Sequence, residues 1–146
     1  MNIRFLDTWR GRRHGGDEGS STGAAAREQE GITELLSECE LLRVRAMRLG
    51  LRLDDSPGSL SALDQLTPEW RQDPEELPWF GNDAGLYLGS VIVRTVPGAI
   101  WHIWPTGHPV VRLVSGREIQ VVQAGLDWAA SGVPELAQVY AEAAEA

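Results

Sequence analysis

The longest regular pattern of apolar positions lies in the first half of the chain and predicts a helix over residues 30–49. Apolar side chains recur there mostly at steps of three and four, which is the spacing of one helical face. They are Ile32, Leu35, Leu36, Cys39, Leu42, Val44, Met47 and Leu49. Gly50 follows as a C-terminal cap. We therefore expect one amphipathic helix that turns this face inward.

Two more helices are predicted before Pro97-Gly98. The Asp54-Asp55-Ser56-Pro57 sequence has turn chemistry, and its acidic pair is expected to start a turn or cap a helix rather than bind metal. Ser59 is expected to cap the second helix. The Asn82-Asp83 pair signals the start of a third helix over 82–96. The β-branched residues in this helix would also suit a strand, but its length favours a helix.

Alternation of side chains after Pro97-Gly98 predicts an antiparallel hairpin. A strand is expected over 99–104, a turn at 105–108 and a returning strand over 109–114. The first strand has two distinct faces: Ile100, His102 and Trp104 lie on one, and Trp101 and Ile103 lie on the other. Ser115-Gly116 makes a second turn, after which residues 117–122 add a third short strand.

Two helices close the chain, over 126–131 and 134–144, with Pro134 in a first-turn position. Three helices, a small antiparallel sheet and two further helices make a single α+β domain, which we assign to residues 29–146. Residues 1–28 are predicted to be a flexible extension. The glycine- and serine-rich part of that extension has too few apolar residues to offset the entropy of ordering.

The composition is that of a globular protein with an acidic balance. Hydrophobic residues make up 42% and charged residues 23% of the 146, and the formal net charge is −8. This acidity opposes binding to nucleic-acid phosphates. No apolar run approaches the ~20 residues of a membrane span. We therefore expect neither nucleic acid nor a membrane as partner.

The cysteine content favours a reducing compartment. Cys39 is the only cysteine, so no internal disulfide can form and a four-cysteine zinc site is excluded. Its apolar helical surroundings favour a buried thiol over a nucleophile. Arg12-Arg13 is not followed by the apolar region of a secretion signal. The expected location is the cytoplasm.

The sequence offers no recognisable catalytic constellation, and we assign no catalytic residue, metal or cofactor. His102 and His108 are too few to define a metal site, which needs three or four ligands. No serine lies in a Gly-x-Ser-x-Gly elbow, and a phosphate-binding P-loop is excluded because the chain has no lysine. On a soluble helix, the four-residue spacing of Gly81, Gly85 and Gly89 indicates close backbone packing or tolerated glycine, not a phosphate loop.

The strongest remaining signal is aromatic. Five of the six tryptophans fall within about sixty residues, and they can either fill the core or serve a binding surface. Tryptophan and arginine are favoured at the energetic centres of protein interfaces. The residues predicted to bind a partner are Trp79, Phe80, Arg94, Trp101, Trp104, His108 and Arg112.

Several blocks between about Leu35 and Glu142 resemble a small uncharacterised family of Streptomyces and related actinobacteria. They are SLSALDQL, WRQDPEELPWFGNDAGLYLGSVIVRTVPGAIW, WPTGHPVVRL and PELAQVYAE. The resemblance implies no activity and no catalytic residues. The function expected is thus a non-enzymatic interaction or regulatory module that binds a protein through the hairpin. The alternative is a ligand-binding protein or enzyme with a pocket near Asp83, His102 and His108.

Overall fold

The computed structural model describes residues 22–66 and 74–145, and within those ranges it confirms an α+β fold. Six helices pack with a three-stranded antiparallel sheet of order β1-β2-β3. In chain order the elements are α1 (Thr22–Leu36), α2 (Glu40–Arg48), α3 (Pro57–Gln65), α4 (Leu77–Thr95), β1 (Ile100–Ile103), β2 (Pro109–Arg112), β3 (Glu118–Ile119), α5 (Val121–Ser131) and α6 (Leu136–Glu145). The predicted extension over 1–28 lies outside the described residues, except for residues 22–28, which belong to α1.

The helix predicted over 30–49 is broken in two, and the prediction of a continuous helix was wrong. Cys39, between α1 and α2, has left-handed backbone angles, with φ 42° and ψ 47°. The new helix start is stabilised from another element, because the Asp83 carboxylate on α4 accepts a hydrogen bond from the Leu42 N–H at 3.2 Å. A pattern of apolar spacing carries no information about such a distant cap.

The break changes which side chains of the pattern are buried. After it, α2 places Leu42 and Ala46 in the core. Val44, Met47 and Leu49, which the periodicity placed on the same face, are 38%, 71% and 44% exposed. The second half of the predicted apolar face is therefore a surface.

The turn before α3 forms as expected, but a different serine caps the helix. The Asp54 carboxylate accepts hydrogen bonds from the N–H and hydroxyl of Ser56, at 3.1 and 2.5 Å. The N-cap is Ser56, whose hydroxyl accepts from the Ser59 N–H at 3.3 Å. Ser59 is buried within the helix, and its hydroxyl lies 2.7 Å from that of Tyr87. Pro57 in the first turn explains the earlier start.

Helix α4 is the central element of the fold. It begins at Leu77 rather than residue 82, with Pro78 in its first turn, so Asn82 and Asp83 lie inside it. It ends at Thr95, next to the predicted stop at Pro97-Gly98. Twelve of its 19 residues are buried, because other helices and the sheet pack around it.

Close backbone contact joins α4 to α5, as the four-residue glycine spacing predicted. A Cβ added to Gly81 would lie 2.7 Å from the Leu126 Cα, and one added to Gly85 would lie 2.6 Å from the Val122 Cα. From the other side, a Cβ on Gly125 would lie 2.7 Å from the Gly85 Cα. These distances are too short for any side chain at the three glycines, so the two helix backbones are in direct contact there.

The third glycine of the series has a different neighbour. A Cβ added to Gly89 would lie 2.8 Å from Cζ2 of the Trp101 indole. Trp101, on β1, is buried and fills the space that Gly89 leaves. One glycine-lined surface of α4 therefore positions both α5 and the sheet.

The sheet has the predicted hairpin and a shorter third strand. Trp104 pairs with His108 and Leu113 pairs with Arg117, so each turn is a three-residue loop. Each loop ends in a glycine with positive φ, 91° at Gly107 and 94° at Gly116. The open edge of β1 meets α1, because the Gln29 side-chain amide donates to the Trp101 carbonyl at 3.2 Å.

The closing helices differ from their predicted starts. Helix α5 begins at Val121 rather than residue 126, since β3 ends at Ile119. Helix α6 begins at Leu136, and Pro134 lies before it. The Asp64 carboxylate on α3 accepts hydrogen bonds from the Leu136 and Ala137 N–H groups, at 2.8 and 3.0 Å. As at α2, a distant aspartate fixes where the helix starts.

We expect Gly85→Ala to lower the free energy of unfolding by about 1–3 kcal/mol, because the methyl group would press on α5 backbone. The matched control is Gly31→Ala on α1, where a Cβ meets nothing within 4 Å. This control should gain about 0.5–1 kcal/mol from improved helix propensity. Urea unfolding followed by circular dichroism measures both, and equal changes would contradict the close contact.

Candidate interaction site on the outer sheet face

The sheet has the two faces that the alternation along β1 predicted, one buried in the core and an outer one that is accessible at Ile100, although Val110, which pairs with His102 on the outer face, is fully buried. Trp101 is paired with Val111, and Val111 with Ile119, and all three are buried. Ile100 is paired with Arg112, and Arg112 with Glu118. Because directly paired residues share a face, these three lie opposite the core. Ile100 is 41% exposed.

Glu118 is the centre of a polar cluster on this outer face. Its Oε2 accepts hydrogen bonds from Nε and Nη2 of Arg112, at 3.2 and 2.8 Å. Its Oε1 accepts from the Trp104 indole N–H at 3.2 Å. The His102 Nε2 lies 4.0 Å from Oε2. The Glu118 carboxylate, on β3, thus holds Arg112 of β2 and Trp104, just after β1, in a defined arrangement.

The electrostatics of Glu118 follow from these contacts. The hydrogen bond from Arg112 is the main reason why the pKa of Glu118 lies below its ordinary value. Desolvation, the second-largest influence, raises this pKa, while the Trp104 hydrogen bond and the charges of Arg112 and His102 lower it further. Glu118 therefore stays ionised across the physiological range.

The tip of the hairpin carries an aromatic pair. The rings of Trp104 and His108 lie with centroids 5.3 Å apart, at an interplanar angle of 50°. Trp104 is half-buried and is held on one side by His108 and at its indole N–H by Glu118. Its ring is therefore oriented without being enclosed.

The structure unites three of the seven residues predicted to bind a partner. Trp104, His108 and Arg112 belong to the cluster around Glu118. Phe80 and Trp101 are in the core, so their assignment to an accessible face was wrong. Their large apolar rings fill space beside α2 and Gly89.

The other two predicted residues are exposed but lie elsewhere. Trp79 is 50% exposed in the first turn of α4. It is ten residues before Gly89, which is about 15 Å along the helix. Arg94 donates to the Ser37 hydroxyl at 3.4 Å, at the junction of α1 and α2. Trp79 and Arg94 therefore do not belong to the cluster around Glu118.

Sequence reasoning did not identify Glu118 as a site residue. A three-residue loop ending at Gly116 sets the pairing of Arg112 with Glu118, and this opposite-charge pair was the available signal. The predicted two-residue turn at Ser115-Gly116 pairs Leu113 with Glu118 instead, which is one residue out of register. His102 was predicted on the same face of β1 as Trp104 but was not among the residues predicted to bind a partner.

The three residues named for the alternative pocket, Asp83, His102 and His108, make separate contacts. The Asp83 carboxylate is directed at α2, and burial raises its pKa despite hydrogen bonds from the Leu42 and Leu41 N–H groups. The contacts of the two histidines are with Glu118 and Trp104. In the described ranges, no group of three or more His, Cys, Asp or Glu residues is placed to hold a metal ion.

The predicted burial of Cys39 is confirmed. The thiol is enclosed and donates to the Leu36 carbonyl, with Sγ 3.4 Å from the oxygen. Burial, reinforced by the nearby Asp83 carboxylate, raises the pKa of this thiol far above its ordinary value. It therefore stays protonated and unreactive as a nucleophile.

Glu118 gives the fold a contribution that depends on pH. Because its folded-state pKa is lowered, ionised Glu118 stabilises the protein above the ordinary glutamate pKa, and this is lost as the pH falls through the lowered value. We expect Glu118→Gln to be less stable than the wild type at about pH 7 and nearly equal to it at about pH 3. Urea unfolding at both values measures the difference, with Glu142→Gln on exposed α6 as control. A loss of stability that is the same at both values would contradict this role.

Comparison with known proteins identifies the family of this chain, but this family has no assigned function. Neither the curated proteins nor the solved structures gave a match to the chain. Of the helices in the described segments, none has the length and apolar content needed to cross a membrane. The sequence model of one family of unknown function, DUF6278, matches residues 1–146. The chain therefore belongs to the DUF6278 family.

Proposed function

We propose that this protein is a non-enzymatic interaction or regulatory module that binds a protein partner through the outer sheet face. The outer patch consists of Ile100, His102, Trp104, His108, Arg112 and Glu118. The observation that carries the proposal is the arrangement of Trp104, which is accessible at the hairpin tip and yet fixed by Glu118 and His108.

The physical argument is one of preorganisation. Binding costs free energy when flexible side chains must be ordered, and a ring already held in place avoids much of that cost. Arg112, whose side chain is 42% exposed, is held by the same carboxylate. Tryptophan and arginine are both enriched at the energetic centres of interfaces, and here the two side chains are fixed by one carboxylate. Ile100 supplies adjacent apolar surface.

No observation gives comparable support to an enzyme or ligand-binding function at the alternative site. Asp83 is occupied in capping α2, away from the contacts of the histidines. We further infer that the protein acts in the cytoplasm of an actinobacterium. The single buried cysteine suits a reducing compartment, and the use of arginine for all 13 basic residues suits a GC-rich genome.

We expect Trp104→Ala to reduce the recovery of a specific partner by about tenfold or more, because it removes the fixed ring. Partners are recovered from a lysate with tagged wild-type protein and quantified by mass spectrometry. Trp79→Ala is the matched control, since it removes an exposed tryptophan from a different surface. Thermal unfolding of each variant verifies that it is folded.

The outcome is decisive for the outer patch. A protein lost with Trp104→Ala and retained with Trp79→Ala supports the proposal. Arg112→Ala should weaken recovery of the same protein. If the wild type and Trp104→Ala recover identical sets in equal amounts, the outer patch is not the binding surface.

A further inference from the structure

A second accessible surface lies on α2, remote in sequence from the outer patch. This α2 patch consists of Val44, Met47, Arg48, Leu49 and Arg52. Val44, Met47 and Leu49 are all more than a third exposed, and Met47 is the most accessible of these three at 71%. Beside it, a groove of about 400 Å³ is lined by Arg43, Met47, Gly50, Leu51, Arg52 and Leu53.

Arg43, one of the residues that line the groove, is held in place by several contacts. The Arg43 guanidinium donates to the carbonyls of Ser37 and Leu53, at 2.9 and 3.3 Å, and pairs with Asp55 at 3.4 Å. It also lies over the Tyr87 ring, 5.4 Å from the centroid. These contacts connect α2 to residues 51–55 and fix the position of Arg43 in the lining of the groove.

Two arginines of the α2 patch are available to a partner. Arg43 and Arg45 already have partners, the latter pairing with Glu76. By contrast, Arg48 and Arg52 are exposed, and their guanidinium groups form no hydrogen bond or ion pair with any other residue that the structure describes. Arg52 acts on Asp54 only through its charge, as the smallest of the influences on the Asp54 pKa.

The charge of the α2 patch is opposite to that of the whole molecule. The chain carries a net charge of −8, so an acidic partner is repelled by most of its surface. Arg48 and Arg52 make the α2 patch an exception. The adjoining Met47 adapts its shape readily, as methionines do in grooves that take amphipathic helices.

We propose that the α2 patch docks an acidic amphipathic segment of a partner protein. Apolar side chains of that segment enter the groove against Met47, Leu51 and Leu53, and its carboxylates pair with Arg48 and Arg52. Apolar surface with only two available guanidinium groups favours a protein segment over a nucleic acid or an anionic membrane, which would need a denser basic patch.

The test uses a defined probe and the full chain. The probe is a fluorescent peptide of about 18 residues with leucines at helical i, i+4 and i+7 spacing and glutamates elsewhere. A matched peptide has lysine in place of every glutamate. Fluorescence anisotropy should show saturable binding of the glutamate peptide, which weakens as salt is added, and much weaker binding of the lysine peptide.

Variants locate the binding on the protein. Met47→Ser alone, and Arg48→Gln together with Arg52→Gln, should each weaken binding of the glutamate peptide by about tenfold. The neutral glutamine substitutions limit any effect on folding, which thermal unfolding verifies. Arg117→Gln is the matched control, because Arg117 is an exposed arginine in the β2–β3 hairpin. It should bind the probe as tightly as the wild type.

Each contrary outcome overturns the proposal. The proposal is wrong if the glutamate peptide shows no saturable binding up to about 1 mM. It is also wrong if both peptides bind equally, or if Arg117→Gln weakens binding as much as the substitutions in the α2 patch. Sedimentation showing a dimer that Met47→Ser dissociates would assign the α2 patch to a second copy of the chain. Tighter binding to phosphatidylserine vesicles or to single-stranded RNA than to the peptide would assign it to anionic phosphates.

Discussion

The contact between α4 and α5 constrains the rest of the structure. At Gly81, Gly85 and Gly125 the two backbones come so close that no side chain fits between them. Dispersion forces act over short distances, so this approach gains many contacts along both helices. It also fixes their relative position, because a helix pair in direct backbone contact has little freedom to slide.

The position of α4 determines the geometry of both accessible surfaces. Gly89 accommodates Trp101, which fixes β1 and thereby the outer face on which Trp104, Arg112 and Glu118 meet. Asp83, from the same helix, caps α2 and so determines which of its side chains face solvent. A single buried helix therefore supports two surfaces of different chemistry, one aromatic and one apolar with available arginines.

Local patterns in the sequence predicted much of this fold, and long-range polar contacts account for most of what they missed. Alternation around Trp101 assigned the faces of β1, and glycine spacing indicated the close packing of α4. The break at Cys39 and the start of α6 were not predictable, because each depends on an aspartate from another helix, Asp83 or Asp64. The candidate site was harder still. Aromatic density could not separate buried Trp101 from accessible Trp104, since both lie on one strand or its end.

Native-state hydrogen exchange tests the central role of the α4–α5 contact most directly. If the rest of the fold depends on this contact, amides of residues 84–92 and 122–129 exchange only through global unfolding. Their free energy of opening then equals the free energy of unfolding measured in urea. Amides of α1 and α6 would then exchange through smaller, local openings. The opposite order, with α4 and α5 exchanging at lower free energy than α1 or α6, would contradict this account.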